Sequence, residues 1–328
     1  MSMTKQFSLD PSSPISVVIP TYNRASTLAR ALDSVLEQTH RPREIILVDD
    51  DSQDDTSTLV RDYTSCGITY LRLKKNGGVS AARNVGISRA TGTFVSFLDS
   101  DDELSPDQLE RQLHIATKSD QYHLVFTSII IREPRKSDCV HRAKTGEYST
   151  INLYNSNSTA GGASGAMVRR QAILTAGGFN EKLPAFEDWD LWFRLSPAGK
   201  AICIDTTFTI VNDDTANRIT KNISSLSKGL RYIYLKYIRP YERKHGPQLD
   251  EFYITFGDML LAAGRKKAAR ISFVHSFVRK KRLRSAVSLF LTMLPANPTT
   301  YNSIISLCFH MKNLPTTVAQ KIPHTLRK

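Results

Sequence analysis

The sequence predicts an α/β fold with a mainly parallel central sheet and helices on both of its faces, followed by a helical C-terminal appendage. Three observations predict it: strand-like and helix-like segments alternate, the strand-like segments are nearly all apolar, and the end of the chain is basic and aromatic-rich. Alternation of this kind is typical of parallel sheets with crossover helices. Apolar runs without polar alternation indicate strands that are buried on both faces.

Five segments have the composition of strands. The first, ISVVIP, is a β-branched run, and EIILVDD and TFVSFLD are similarly apolar until their final aspartates. The predicted strands span residues 15–20, 44–50, 68–73, 93–99 and 122–131.

Helices are predicted between these strands. The segment STLARALDSVLEQ places Leu28, Leu32 and Val35 on one face, and we expect Ser26 to be its N-cap. Asp54 or Asp55 is expected to cap the next helix. The predicted helices span residues 26–38, 56–64, 79–90 and 186–195.

Charge and composition predict two regions, a catalytic domain at residues 1–220 and a basic helical region at 221–328. Residues 221–328 carry 20 lysines and arginines but 4 acidic residues. The first 220 residues carry 24 lysines and arginines and 27 acidic residues. The polar stretch 132–165, rich in serine, asparagine and glycine, is expected to be a mobile loop. The positive charge therefore belongs to the tail, and its partner has to be considered separately.

The chain has features expected of a cytoplasmic protein. Its four cysteines are far apart and form no CxxC pair, which favours free thiols in a reducing compartment. The first residues lack the apolar core of a signal peptide, and no apolar run reaches the roughly 18 residues of a membrane span.

Acidic side chains follow the second and fourth predicted strands, as DDDSQDDT and DSDDE. Ligands of such sheets bind at the carboxyl ends of the strands. Neighbouring carboxylates repel one another, and Mg²⁺ or Mn²⁺ accepts both carboxylate and phosphate oxygens. Asp99 and Asp101 could therefore hold a cation. On spacing alone, a solvated turn before the helix near Ser105 is an equal alternative.

The loop after the second strand also suits a nucleotide. An aspartate there can accept hydrogen bonds from a base or a ribose. The chain has no GxGxxG after the first strand and no GxxxxGK[ST], which argues against a nicotinamide cofactor and a P-loop.

Six motifs together resemble family 2 glycosyltransferases, which are inverting sugar transferases with the nucleotide-diphospho-sugar-transferase (GT-A) fold. The resemblance covers roughly residues 14–212. The motifs are VVIPTYNR, ILVDDDSQDDT, KKNGGVSAARNVGI, FLDSDD, GGFNE and FEDWDLWFRL. Each is weak alone, but six in the family's order are specific.

The resemblance implies a nucleotide site. Pro20 and Tyr22 would line the base pocket, Asp50 would bind the base, and Arg24 would bind the nucleotide. Asp51 departs from the family, which usually has glycine or asparagine there. Aspartate tolerates a left-handed backbone better than most residues, so the turn is expected to survive.

The resemblance also implies a reaction centre. Arg83 and Asn84 would line the donor pocket, and Asp99 and Asp101 match the DxD pair that binds Mn²⁺ or Mg²⁺, with Asp101 as the more direct ligand. Asp188 matches the catalytic base, an activity worth about 10²- to 10⁴-fold in rate.

The implied reaction is a metal-assisted single displacement that inverts the anomeric carbon. Glu187 is the rival base, and we prefer Asp188 on the motif match. The donor would be a UDP-linked hexose or N-acetylhexosamine. The acceptor would be a hydroxyl of a glycan or a lipid-linked oligosaccharide, in lipopolysaccharide or other surface-polysaccharide biosynthesis.

Two other functional classes of protein share some of these features. A sugar nucleotidyltransferase shares the layered fold and the carboxylates, but would need a glycine-rich basic loop where TYNR stands. A nucleic-acid-binding protein would explain the sequence pI of about 9.6. Its cations should flank the cleft, whereas here they lie in the tail, so no nucleic acid is expected.

The basic stretch 265–284, RKKAARISFVHSFVRKKRLR, permits two interpretations. It interleaves cations with Phe273, Val274, Phe277 and Val278, as in helices that rest on anionic membranes. This would place the protein peripherally at the inner face of the plasma membrane. Alternatively, the aromatic side chains pack on the main domain and the cations face water.

Overall fold

The molecule is described from a computed structural model. It covers residues 9–134, 137–150, 153, 162–213, 222–246, 249–262, 265–280 and 288–289.

Ten strands form one mixed sheet in the described part of the chain. They are β1 (Ile15–Thr21), β2 (Glu44–Asp49), β3 (Thr69–Arg72), β4 (Phe94–Phe97), β5 (Glu103–Leu104), β6 (Tyr122–Arg132), β7 (Cys139–His141), β8 (Gly146–Tyr148), β9 (Met167–Arg169) and β10 (Lys200–Asn212). Their order is β3-β2-β1-β4-β9-β6-β10-β5, with β7 beside β6 and β8 beside β10. The α/β fold class is confirmed.

The first half of the sheet is parallel. β1 lies between β2 and β4 and pairs in parallel with both, so that Val17 is opposite Ile45 on one side and Ser96 on the other. β3 extends this half beyond β2. The carboxyl ends of β1, β2 and β4 therefore share one edge, which brings together the three motifs that follow these strands.

The second half contains the antiparallel strands. β9 runs antiparallel between β4 and β6, and β10 pairs in parallel with β6. β9 spans only three residues and pairs with the start of β6. The end of β6 is therefore left to β7, which pairs with it. In the same way β8 pairs with the start of β10 and β5 with its end.

The prediction of a mobile loop at 132–165 was therefore wrong for the segments that form β7 and β8. The exposed edges of β6 and β10 need hydrogen-bond partners, and these two short segments supply them. Residues 135–136, 151–152 and 154–161 of the predicted loop lie outside the described residues.

Up to residue 238 the described helices include α1 (Ala25–Leu36), α2 (Thr56–Arg61), α3 (Val79–Arg89), α4 (Gln108–Ala116), α5 (Arg170–Thr175), α6 (Glu187–Leu195) and α7 (Ile223–Ile233). A 3₁₀ turn, Thr64–Cys66, follows α2, and a π-helical segment, Tyr234–Ile238, continues α7. Beyond them come α8 (Arg239–His245), α9 (Asp250–Ala262) and α10 (Lys266–Lys280).

Ser26 was the wrong N-cap, because α1 begins one residue earlier, at Ala25. The acceptor comes from the loop after β2: the Asp54 carboxylate accepts from the Ala25 amide at 3.0 Å. The other Asp54 oxygen accepts from the Thr56 amide at 3.1 Å, which confirms the expected cap of α2. One carboxylate thus satisfies the starts of two helices.

The core lies on both faces of β1. The predicted apolar face of α1 is confirmed: Leu28, Leu32 and Val35 are fully buried in a cluster with the β1 side chains of one face. On the opposite face Gly86 of α3 lies so close to Val18 that an added Cβ would be 2.3 Å from the valine methyl. Helices therefore cover both faces of β1, as the sequence predicted.

The chain divides into two compact units, residues 1–238 and 239–328. α7 belongs to the first unit, whereas the predicted division at 220 preceded it, and the extent of the catalytic domain stays a prediction. In the second unit α10 packs on α9 through Ala269, Phe273 and Leu261. Of the helices described, none is long and apolar enough to span a bilayer.

Candidate active site

The loops after β1 and β2 bind each other through backbone amides. The Asn23 amide donates to the Ser52 hydroxyl at 2.9 Å, and the Gln53 amide donates to the Asn23 side chain at 2.7 Å. Asn23 and Asp51 both have left-handed backbones, with φ of 51° and 66°. The turn that Asp51 was expected to tolerate is therefore present.

Two residues of the predicted base pocket lie at this edge. Pro20 is buried within β1 opposite Val48, whereas the Tyr22 side chain is 42% exposed in the loop that follows. A ring exposed beside the ends of parallel strands is available for stacking on a planar ligand.

Asp50 holds the start of α3. Both oxygens of its carboxylate accept backbone hydrogen bonds at 2.7 Å, one from the Gly77 amide and one from the Gly78 amide. Gly78 has a φ of 86°, which a side chain would strain. Asp50 thus fixes the orientation of α3, and its predicted contact with a base stays a prediction.

Arg83 of α3 is the buried cation at the centre of the site. Its Nη2 donates to Asp99 Oδ1 at 2.7 Å, and its Nη1 donates to Glu187 Oε1 at 2.8 Å. The guanidinium also lies over the Phe179 ring, 5.2 Å from the centroid. Burial alone lowers the pKa of Arg83, but the two carboxylates raise it above its usual value on balance.

Asp188 lies next to Glu187 at the start of α6 and has a different environment. Burial, followed by the negative charge of Glu187, raises the pKa of the Asp188 carboxyl to about 7. Its Oδ1 accepts from the Trp189 amide at 2.8 Å. Phe186, just before the helix, has a left-handed backbone with a φ of 62°. A strained residue beside a perturbed carboxyl is typical of functional sites.

One short glycine-rich loop, residues 162–166, extends from Asp188 to the end of β4. A Cβ added to Gly162 would lie 3.1 Å from Asp188 Oδ2, and the Asp99 amide donates to the Ser164 hydroxyl at 3.2 Å. The Gly165 carbonyl accepts from two buried side chains of α4, Gln108 and Gln112. This arrangement was not predicted from the sequence, although the GGASG stretch was its signal.

Asp101 is held more deeply than Asp99. Its carboxylate lies 3.7 Å from Arg24 Nε, and its backbone carbonyl accepts from Arg30 at 2.8 Å and from Asn212 at 3.1 Å. Arg24, expected to bind the nucleotide, therefore faces the acidic loop. The Asp99 side chain is partly exposed.

The carboxylates of Asp99 and Asp101 provide the oxygen donors that Mg²⁺ and Mn²⁺ prefer, so this pair suits such a cation chemically. Within the described ranges no group of three or more histidine, cysteine, aspartate or glutamate residues could hold a metal ion. Phosphate oxygens and water would have to complete the coordination of a cation bound here.

Asn84 is bound to the GGFNE turn. Its side-chain amide donates to the Phe179 carbonyl at 3.0 Å and to Glu181 at 2.8 Å, and its oxygen accepts from the Phe179 amide at 2.8 Å. In this structure Asn84 thus orients the turn, and its expected contact with a donor stays a prediction.

Asp190 is fully buried in α6, and its interactions were not predicted from the sequence. Its carboxylate accepts from Arg194 at 2.7 Å, from Lys236 at 3.1 Å and from the Tyr237 hydroxyl at 2.6 Å. Burial raises the pKa of Asp190, but these donors lower it below its usual value on balance. Lys236 and Tyr237 lie in the π-helical segment, outside the six motifs.

Comparison with known proteins identifies the family. Residues 16–175 match the family model described as glycosyl transferase family 2. These residues, about half of the chain, belong to glycosyltransferase family 2. This agrees with the resemblance and favours a glycosyltransferase over the sugar nucleotidyltransferase and the nucleic-acid-binding protein.

Relatives cover different parts of the glycosyltransferase. An uncharacterized glycosyltransferase from Haemophilus influenzae is 25% identical over 77% of this chain and 87% of its own length. Chondroitin synthase from Pasteurella multocida is 32% identical over 57% of this chain, but the match spans 19% of the synthase. The activity of such a longer relative as a whole therefore cannot be assigned to this chain from the sequence identity.

Solved structures share the fold. S. aureus TarS in complex with UDP-GlcNAc superimposes with a TM-score of 0.60 at 20% identity, covering 85% of this chain and 79% of TarS. The mannosyltransferase PcManGT from Pyrobaculum calidifontis, in complex with GDP-Man and Mn²⁺, gives 0.58 at 19% identity, covering 91% and 85%. At such identities the likeness concerns the glycosyltransferase fold.

The Asp190 network predicts an effect of Tyr237→Phe, which removes one hydroxyl without changing the ring. We expect the free energy of unfolding to fall by about 1.5–3 kcal/mol, because a bond to a buried carboxylate is lost. We also expect a lower kcat with an unchanged donor Kd, because α6 carries Asp188. Urea unfolding, steady-state kinetics and calorimetry measure these quantities.

The control is Tyr122→Phe, which removes a hydroxyl bonded to the carboxylate of Glu147 at 2.8 Å on the exposed surface. This variant should change stability by about 0.5 kcal/mol or less. Equal losses in the two variants, or an unchanged kcat in Tyr237→Phe, would contradict a positioning role for the network.

Proposed function

We propose that the chain transfers a hexose or N-acetylhexosamine from a UDP-sugar to a hydroxyl group of a glycan or lipid-linked oligosaccharide. Membership of the family supports sugar transfer. The similar fold of TarS in complex with UDP-GlcNAc supports a uridine nucleotide and an N-acetylhexosamine. Chondroitin synthase among the relatives supports a glycan acceptor in polysaccharide synthesis.

The observation that carries the mechanism is the contrast between the two acids at the start of α6. The Glu187 carboxylate is bound by the Arg83 guanidinium, whereas burial and the charge of Glu187 raise the pKa of Asp188 to about 7. A base with a pKa near the working pH can accept a proton and release it again. Asp188 is the catalytic base, and Glu187 holds the helix.

The donor lies along the edge formed by β1, β2 and β4. Tyr22 stacks on the base, Asp50 accepts from it, and Arg24 contributes positive charge to the nucleotide. Arg83 lies behind Asp99 and keeps that carboxylate oriented toward the donor. A divalent cation held by Asp99 and Asp101 would stabilise the charge on the departing diphosphate.

The transfer is a single displacement. Asp188 takes the proton of the acceptor hydroxyl while the oxygen of that hydroxyl bonds to the anomeric carbon. At the same time the bond from the anomeric carbon to the diphosphate oxygen breaks. Attack comes from the face opposite the leaving group, so the anomeric configuration inverts. Asp188 then releases the proton to water.

Asp188→Asn tests the base directly. We expect transfer to fall by about 10²- to 10⁴-fold, because the amide cannot accept the proton, while the Kd for UDP stays nearly unchanged. In the unsubstituted enzyme, kcat/KM should rise with pH through about 7, as Asp188 becomes ionised. A donor screen that follows UDP release provides the assay.

A stability measurement distinguishes loss of the base from misfolding. The pKa of Asp188 is raised in the folded state, so its ionised form destabilises the fold at a pH well above 7. Asp188→Asn should therefore raise the melting temperature at a pH well above 7. The increase in melting temperature should become smaller toward acid pH. The base would be Glu187 instead if Asp188→Asn kept full activity and Glu187→Gln were inactive without a loss of stability.

Asp101→Ala tests the cation. We expect the affinity for UDP in the presence of Mn²⁺ to fall toward the affinity in EDTA, because one of two carboxylate ligands is lost. Calorimetry gives the Kd with and without Mn²⁺ and needs no activity. Asp120→Asn, an exposed acid far along the chain, serves as the control. UDP binding and transfer that are unaffected by excess EDTA would contradict a role for the metal.

A further inference from the structure

Helix α10 has one face that is buried within the second unit. Ala269 and Phe273 are fully buried and pack with Leu260 and Leu261 of α9. A Cβ added to Gly257 of α9 would lie 2.4 Å from the Phe273 ring, so the two helices approach closely. Phe273 therefore stabilises the unit itself, and of the two interpretations of this stretch the membrane-facing one does not hold for Phe273.

The opposite face of α10 is apolar and exposed. Ile271 is 62% exposed, Val274 42%, Phe277 36% and Val278 71%. The spacing of 271, 274 and 278 places these side chains on one side of the helix. Four exposed apolar side chains together on one short helix exceed the single exposed residues of an ordinary surface.

Cations lie beside these apolar side chains. Lys267 is four residues before Ile271, so it belongs to the same side, and Arg270 lies next to it. Over the whole second unit, residues 239–328 contain 16 lysines and arginines and 4 acidic residues. Helix α10 itself contains five lysines and arginines and no acidic residue, so the partner of its exposed face should be negative.

We propose that the exposed face of α10, formed by Lys267, Ile271, Val274 and Val278 with Phe277 at its border, docks on a lipid surface that carries anionic headgroups. The apolar side chains enter the boundary between headgroups and acyl chains, and the cations pair with phosphates. Docking is separate from sugar transfer and needs neither donor nor metal. Residues 281–284 of the predicted basic stretch lie outside the described residues.

A lipid surface fits this face better than a nucleic acid. Binding to the phosphates of a duplex is dominated by cations and does not require four exposed aliphatic and aromatic side chains. A lipid surface satisfies both features, because it is negative outside and apolar a few ångströms below. The membrane interpretation of the sequence thus concerns the exposed face of α10 alone, and the buried face packs on α9 rather than on the main domain.

The experiment is co-sedimentation of the full chain with vesicles of phosphatidylcholine alone or mixed with phosphatidylglycerol, at low and high salt. We expect binding to the mixed vesicles only, weakened by salt. Ile271→Glu combined with Val278→Glu should reduce the partition coefficient by about tenfold or more. Lys267→Gln should produce a smaller loss, confined to low salt.

The matched control combines Val140→Glu with Leu174→Glu, which introduces the same charges at exposed apolar positions outside α10. This variant should bind the mixed vesicles like the unsubstituted chain. Circular dichroism and UDP release in solution should be unchanged in both double variants, which excludes misfolding. The proposal is overturned if the α10 variant still binds, if the control loses binding equally, or if the chain binds duplex DNA or a second copy through this face and no vesicles.

Discussion

The site depends on one interaction, the salt bridges of a buried guanidinium with two carboxylates. Arg83 bridges Asp99, which follows β4, and Glu187, which begins α6, although these residues are far apart in the sequence. The carboxylates of Asp99 and Glu187 would repel one another without the cation between them. Conversely, a buried arginine without carboxylates would cost several kcal/mol. The cation and the two acids are therefore stable only together.

Paired charges also give the neighbouring acids of α6 different environments. Arg83 binds Glu187, and Arg194, Lys236 and Tyr237 bind Asp190. Both ends of the first turn of α6 are thus held by paired charges, whereas burial and a like charge raise the pKa of Asp188. A perturbed carboxyl between two paired ones has the fixed position that the proposed base requires.

The sequence predicted what depends on local pattern. Apolar runs located the strands around β1, and motif order identified the family and the acidic loops. It could not predict that Asp54 rather than Ser26 satisfies the start of α1, or that Lys236 and Tyr237 reach Asp190, because these contacts join residues distant in sequence. The strands β7 and β8 were missed since their pairing is set by the free edges of β6 and β10, and their own residues give only a weak signal. The two faces of α10 likewise become distinct only once α9 packs on one of them.

A double-mutant cycle of Asp99→Asn and Glu187→Gln, followed by urea unfolding without metal or nucleotide, tests the central claim most directly. Each single variant leaves Arg83 with one carboxylate, whereas the double variant leaves a buried guanidinium with none. The account predicts that the double variant loses more stability than the two singles combined, by about 1–3 kcal/mol. Losses that add within about 0.5 kcal/mol would show that Arg83 does not couple the two acids, and would contradict the account.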